Sequence, residues 1–180
     1  LWDMNMPNTY LSRQGCWGAQ TDNADGTFSA TQFVAAWQHI HQIFDENGVT
    51  NVVWIWSFNA AGVNPTAYYP GSQDVDWIAI DAYANPYTSF SATFSSAYTI
   101  AAQYDKPILI AETGALAHDQ APFFTGSATT LKNQFPLVQG FVYFDGTDQA
   151  GNAWTLESAG LSAFTTFSLD PYMAAMPASI

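Results

Sequence analysis

Glu112 closes the apolar run Pro107-Ile-Leu-Ile-Ala-Glu112, is followed at once by Thr113 and Gly114, and is one of only three glutamates among 15 acidic residues. A carboxylate at the end of such a run is carried on a rigid element with its charge at the rim. At the start of the chain the short apolar stretch Leu1-Trp2 likewise ends on a carboxylate, Asp3, with Asn5 two residues further on. Two carboxyl groups facing each other across a sugar suffice for glycosidic cleavage: one protonates the leaving oxygen, and the other attacks the anomeric carbon or activates water. Glu112 and Asp3 are the candidate pair on these grounds.

Other chemistries find less support. His39 and His41 are two apart on a helical stretch and point to different faces, and His118 has no spaced companion. Ser57 lacks the flanking glycines of a nucleophile elbow, and Cys16, the single cysteine, has no evident histidine partner. No glycine-rich phosphate loop follows any strand-like run. The expectation is a hydrolase that uses neither metal nor cofactor.

Composition narrows the partners. The 180 residues carry a formal net charge of -12, with 10% charged, 48% hydrophobic and 16% aromatic residues. Soluble domains average about 25% charged residues, so the chain reads as a folded, aromatic-rich domain and not as disorder or a coiled coil. Its only cations besides histidine are Arg13, Lys106 and Lys132, too few and too scattered to neutralise a row of phosphates or an anionic lipid surface. No apolar run approaches the ~20 residues of a membrane span. The expected partner is neither nucleic acid nor membrane. One cysteine leaves the redox compartment open.

The elements that must position the carboxylates are legible as four apolar runs, starting at Asn51 (NVVWIWS), Trp77 (WIAIDAY), Pro107 (PILIAE) and Leu137 (LVQGFVYFD). Their starts fall 26, 30 and 30 residues apart, room for a strand, a loop and a helix in each unit. Before the first run, Ser29 and Gln32 have the spacing of a capping box. Phe33, Ala36, Trp37, Ile40, Ile43 and Phe44 then share one helical stripe, and Gly48 closes it. SSAYTIAAQY, ATTLKNQF and SAGLSAFTTF are the next three helical candidates.

Alternating strands and helices predict a parallel sheet with helices outside, as a (β/α)8 barrel or an open doubly wound sheet. Polar residues collect where the runs end: Asp3 and Asn5, Ser57 and Asn59, Asp81 and Tyr83, Glu112 and Thr113, Asp145. A barrel builds its active site at that rim. A full barrel takes about 250 residues, so the chain is expected to be its second half, from the end of strand 4 to helix 8 over residues 1–168, with 169–180 an irregular tail or linker. A chain that opens inside a strand-like stretch is expected to have sequence upstream.

Aromatic faces bind the C–H face of a pyranose. Alternation puts Trp54 and Trp56 on one side of their strand and Val53 and Ile55 on the other, toward the helices. Trp56, nearer the carboxyl end, is the better sugar platform, and Trp54 is assigned to the barrel core. Trp17, Tyr68, Tyr69 and Phe144 are further candidates for the cleft wall, each of which core packing would explain equally well.

The segments WDMNMPNTY, FVAAWQHIHQIF, NVVWIWSFN, YYPGSQDVDWIAIDAY, KPILIAETGA, FVYFD and WTLESAGLSAF, in this order from Leu1 to about Phe164, resemble the second half of glycoside hydrolase family 26, largely β-mannanases on (β/α)8 barrels. The resemblance implies that Glu112, in the Ala-Glu-Thr-Gly motif ending the seventh strand, is the nucleophile of a retaining mechanism. It implies that Asp3 occupies the acid/base position, in a motif that in the family usually reads His-Glu-Met-Asn and here reads Trp2-Asp3-Met4-Asn5. That departure bears on the efficiency of the acid/base step. It further implies that Tyr83 hydrogen-bonds the nucleophile and that Phe144 lies beneath the reacting sugar. Asp76 matches the family's Val-Asp-Trp aspartate and is a candidate sugar ligand, although it precedes its strand's apolar run, where a loop-capping aspartate is also expected. Asn5 would line the same rim.

Three readings follow. The first is an endo-glycosidase acting on β-1,4-mannan or a related β-glycan, extracellular because its substrate is a polymer and because of the resemblance. The second is a glycan-binding half-barrel that hydrolyses weakly or not at all. The third is a structural half-barrel that self-associates.

Overall fold

The computed structural model describes residues 4–6, 29–148 and 150–175. Asp3 and Trp17 lie outside them. The chain divides into two compact units, Leu1–Ile78 and Ala79–Ile180, with the boundary inside a strand.

In the first unit, helix α1 (Ala30–Glu46) opens where the capping residues predict: the Ser29 hydroxyl accepts the Gln32 N–H. It ends at Asn47, with Gly48 at φ +68°. The face it buries is rotated from the expected stripe. Phe33, Trp37, His41 and Phe44 carry the contacts, while Ile40 and Ile43 stay exposed.

Trp54 is the reason. It was expected in the barrel core, yet its ring lies against Trp37, His41 and Phe44 at centroid distances of 5.8, 4.9 and 5.1 Å. Hydrogen bonds fix this packing, since the Trp37 indole N–H donates to the Asp74 carbonyl at 2.8 Å and Gln38 donates to that of Pro70 at 2.8 Å. Strand β1 (Ile55–Asn59) starts just after Trp54 and buries Trp56 and Phe58 on one side. It neighbours strand β2 (Trp77–Asp81).

In the second unit, β2, β3 (Ile108–Glu112) and β4 (Val138–Phe141) are neighbours in that order. The β3–β4 ladder is parallel, with a shift in register after Ile108: Leu109 faces Gly140 and Ile110 faces Phe141. A Cβ on Gly140 would come within 2.6 Å of a Leu109 methyl, so glycine is what admits Leu109 there. Between and after the strands run α2 (Phe90–Ala101), α3 (Gln120–Phe124), α4 (Ser127–Gln134) and α5 (Ser158–Ser168). Phe90, Phe124 and Phe167 from three of these helices meet Phe141 of β4, an aromatic seam that removes much apolar area from water. Within residues 169–180, Pro171–Ala174 forms one more helical turn, α6, with the Asp170 carboxylate accepting the Tyr172 N–H.

Strands and helices alternate along the chain, as they do in part of a (β/α) barrel. Among the described residues no helix is long and apolar enough to cross a membrane.

Candidate active site

The carboxyl ends of β2 and β3 are locked side by side beyond the last ladder residues. Ala82 N–H donates to the Glu112 carbonyl and Ala84 N–H to that of Gly114, each at 2.9 Å. From the other side, the N–H of Val142 reaches the Ile110 carbonyl and that of Phe144 reaches Thr113, each at 2.8 Å. The backbone of Glu112–Gly114 is thus gripped by the segments on both sides of it. A side chain on it has little freedom to drift.

Within this frame the Tyr83 hydroxyl donates to Glu112 Oε2 at 3.0 Å. Both side chains are half-buried. The Tyr83 ring is held in turn by Trp154, 4.8 Å away between centroids, and by the edge of Phe144 at 6.3 Å. Gly114 lets them in: a Cβ there would stand 2.9 Å from one indole carbon of Trp154 and 3.1 Å from Tyr83. The Ala-Glu-Thr-Gly sequence therefore serves two needs, a carboxylate at the strand end and a bare backbone two residues later on which two rings can pack.

Trp154 is itself anchored in detail. The loop from Asp145 folds back through an antiparallel bridge between Thr147 and Ala153, and the Asp148 carboxylate organises it. That carboxylate accepts the N–H groups of Ala150 and Asn152 and the Asn152 amide, and it lies 3.2 Å from the Trp154 indole nitrogen. Partial desolvation pushes the Asp148 pKa up, but these hydrogen bonds, Asn152 foremost, outweigh it and hold the group below its ordinary value. On the backbone side the Trp154 carbonyl accepts the Tyr143 hydroxyl at 2.8 Å. Buried Gln120 reaches the carbonyls of Ala115 and Thr155 and accepts the Glu157 N–H. Burial pushes the Tyr143 phenol up, in part offset by its contact with the Ala115 backbone, and the nearby Asp145 charge adds to the rise. The phenol is a neutral donor at any ordinary pH.

A half-buried carboxylate with one oxygen held by a phenol, at a strand's carboxyl end and between aromatic rings, suits nucleophilic or charge-stabilising work on a sugar. Residues 15–101 match the model of glycosyl hydrolase family 26. The chain is similar to that family over just under half of its length. It is 34% identical over 126 residues to endoglucanase H of Acetivibrio thermocellus, covering 62% of this chain and 14% of that protein. It is 28% identical over 130 residues to mannan endo-1,4-beta-mannosidase A and B of Caldalkalibacillus mannanilyticus, covering 71% and 24%.

Among solved structures, the catalytic domain of a family 26 endo-beta-1,4-mannanase from Bacillus sp. JAMB-750 aligns with a TM-score of 0.61 at 20% identity, over 81% of this chain and 45% of that one. A family 26 beta-mannanase from Bacteroides ovatus aligns at 0.58 and 20%, over 82% and 45%. These two likenesses establish the shared fold. The chain spans well under half the length of the curated relatives it matches.

Of the family 26 site residues read from the sequence, Glu112, Tyr83 and Phe144 come together in the second unit. Asp76 sits at the amino end of β2, away from the strand end that carries Tyr83, and its carboxylate accepts the Trp54 N–H at 2.8 Å. It is the capping aspartate of the blander expectation.

Asn5 and Trp56 belong to the first unit. Asn5 is wholly buried and spends its amide on backbone. Its Nδ2 donates to the carbonyls of Asn59 and Val63, each at 2.8 Å, and its Oδ1 accepts the Asn59 N–H at 3.0 Å. Trp56 is 0% exposed, with its ring against Phe58 and Tyr69. Tyr68 is buried against Phe33.

Sequence reasoning did not single out Trp154, Gln120, Tyr143 or Asp148. The available signal was Gly114, since a glycine beside a functional strand end asks which ring lies on it.

Proposed function

We propose that the protein is a retaining endo-glycosidase acting on β-1,4-mannan or a related β-glycan, with Glu112 as nucleophile and Asp3 at the acid/base position. The observation that carries this is the 3.0 Å hydrogen bond from Tyr83 to Glu112 Oε2. The phenol holds one oxygen and leaves the other to approach an anomeric carbon, then stabilises the carboxylate as it departs when water cleaves the glycosyl-enzyme. Phe144, edge-on to Tyr83 and 36% exposed, offers an apolar face beside the reacting sugar. One matched relative is named a mannan endo-1,4-beta-mannosidase and another an endoglucanase. Both backbones, β-1,4-mannan and β-glucan, therefore belong in the assay. The substrate is a polymer, and the protein acts outside the cell.

The test traps the intermediate. In a protein carrying the full eight-stranded barrel around this sequence, an activated 2-deoxy-2-fluoro mannoside should add one glycosyl mass to the peptide holding Glu112, and NMR should show the product first in the anomeric form of the substrate. Labelling of another residue, or inverted product, removes Glu112 from this role.

A second reading is favoured by one feature of the sequence: Asp3 stands where the family has glutamate. A protein that binds manno-oligosaccharide yet turns it over only when the leaving group is activated would be a weakened enzyme. A chain that binds without any turnover would be a binding half-barrel, and sedimentation would report whether it self-associates.

A further inference from the structure

The loops that leave the carboxyl ends of β2 and β3, the ends carrying Tyr83 and Glu112, are joined to each other by Tyr87 and Asp119. The Tyr87 N–H donates to Asp119 Oδ2 at 2.9 Å. Asp119 is buried, and His118 Nε2 lies 3.1 Å from the same carboxylate oxygen. The Tyr87 and His118 rings face each other at a centroid distance of 5.3 Å and an angle of 53°.

Tyr87 is in an expensive conformation. Its φ is +61°, in the left-handed region that a bulky residue avoids. It follows Pro86 in a turn closed by the Thr88 N–H on the Asn85 carbonyl at 3.0 Å. With proline second and a positive φ third, such a turn ordinarily takes glycine at the third place. A glycine would give Asp119 the same N–H without strain.

The tyrosine ring does not repay the strain by burial, because the residue is 87% exposed. Strain held in place by a buried carboxylate, for the sake of an aromatic ring presented to solvent, is the pattern of a binding surface.

The chemistry of the spot selects the ligand. Neither described cation outside histidine, Lys106 or Lys132, lies on these loops, and the chain carries a net charge of -12, so an anion would be repelled. A flat ring beside an imidazole suits a neutral molecule with one apolar face and a fringe of hydroxyls, which a pyranose is. Four residues, at most about 14 Å of extended chain, separate Tyr87 from Tyr83. One oligosaccharide could therefore reach both.

We propose that Tyr87 and His118 form a sugar-binding platform that takes one pyranose unit of a β-linked glycan, beyond the unit that reacts at Glu112. The choice of a glycan rests on the function proposed above. The platform itself rests on Tyr87, Asp119 and His118.

The test follows the ring signals of His118 and Tyr87 by NMR while mannohexaose, and in a separate arm cellohexaose, is added to the whole chain. With three histidines in the sequence, the His118 imidazole is readily assigned. Saturable shifts at both rings with either sugar are expected, with His39 unmoved. Tyr87→Trp should keep the binding. Tyr87→Gly should weaken it at least tenfold while raising the melting temperature, since glycine accepts the positive φ. Because Tyr87→Gly is expected to be the more stable protein, loss of binding cannot be laid to misfolding.

Three results overturn the platform: no shift at His118 up to about 10 mM hexasaccharide, the same shifts in Tyr87→Gly, or shifts that follow protein concentration without sugar, which would mark a contact between copies. Glu112→Gln should still give saturable sugar-induced shifts at His118. A platform that titrates while the Glu112 peptide is never labelled would sink the catalytic assignment and leave the sugar site standing.

Discussion

Tyr83 lies two residues past the end of β2 and Glu112 closes the neighbouring β3, and the chain brings them together twice: hydroxyl to carboxylate at 3.0 Å, and backbone to backbone one residue away, where Ala82 N–H meets the Glu112 carbonyl at 2.9 Å. The second contact makes the first reproducible. A strand ladder sets where the tyrosine Cα lies relative to the glutamate, and the rings of Trp154 and Phe144 settle where its hydroxyl points. Orientation of this kind is fixed before any substrate arrives, the arrangement that lowers a barrier without cost at the moment of reaction.

Tyr83→Phe separates orientation from packing. The ring stays and the hydroxyl goes, so thermal stability should change by less than about 1 kcal/mol. A hydrogen bond to a charged group is worth about 1.5–3 kcal/mol, so kcat/KM on a glycan in the full barrel should fall roughly ten- to a hundredfold. An equal loss in stability and rate would make Tyr83 a packing residue.

Gly114→Ala should be costly for a different reason. The new methyl would lie 2.9 and 3.0 Å from indole carbons of Trp154 and 3.1 Å from the Tyr83 ring, overpacking that costs about 1–3 kcal/mol. Urea unfolding should report that loss, and tryptophan fluorescence should report a displaced indole. Reducing Trp154 to leucine in the same chain should recover part of the stability. Additive losses from the two substitutions would mean that they do not touch.

The reach of the sequence is clearest where chemistry and periodicity coincide. Glu112 and Tyr83 end apolar runs, and runs of that kind become strands whose ends are fixed, so both were legible. Trp54 and Ile40 were not. Alternation places side chains on two faces without saying which face meets the helix, and the hydrogen bonds of Trp37 and Gln38 to loop carbonyls rotate α1 so that Trp54 packs on it. Trp154 was hidden because it sits in a loop with no period, and its place depends on Asp148, six residues earlier, whose role is visible only once the loop has closed. Asp76 and Asn5 were recognised as polar groups near strand ends, but whether such a group serves backbone or sugar depends on which N–H and C=O groups the fold leaves beside it.

Asp148 predicts a pH dependence. Its folded pKa is held below the ordinary 3.8, so the stabilisation it brings is present above that value and is lost as pH falls through the lower, folded one. Asp148→Asn should lower the melting temperature at about pH 6, and the gap from wild type should narrow toward about pH 3. Because the loop holds Trp154, indole fluorescence should follow the same course. A gap that widens on acidification would mean that Asp148 is not the stabilised carboxylate.

Asn5 tests whether a rim residue serves the fold. Asn5→Ala would take one hydrogen bond each from the Asn59 N–H and from the carbonyls of Asn59 and Val63, although the Asn59 carbonyl keeps the Gly62 N–H. Losing these part-buried hydrogen bonds costs about 0.5–1.5 kcal/mol each, so a loss of about 2 kcal/mol in denaturant unfolding is expected. Asn5→Asp should be no better, because it turns an oxygen toward a carbonyl that now receives an N–H. Unchanged stability in both would return Asn5 to the list of sugar ligands.

Asp3 carries the last prediction, argued from side-chain length. A retaining site needs its two carboxyl groups about 5–5.5 Å apart, with one in reach of the glycosidic oxygen. Aspartate is shorter than glutamate by one methylene, about 1.5 Å, and a misplacement of about 1 Å can cost on the order of a hundredfold in rate. The deficit should fall on protonation of the leaving group and spare attack by Glu112. In the full barrel, mannan should therefore be cleaved slowly, aryl mannobiosides with good leaving groups comparatively well, and Asp3→Glu should raise the first rate much more than the second. Glu112→Ala should abolish both. If Asp3→Glu leaves the mannan rate where it was and Asp3→Asn does no harm, the proton comes from elsewhere, and the pairing of Asp3 with Glu112 is wrong even though the nucleophile stands.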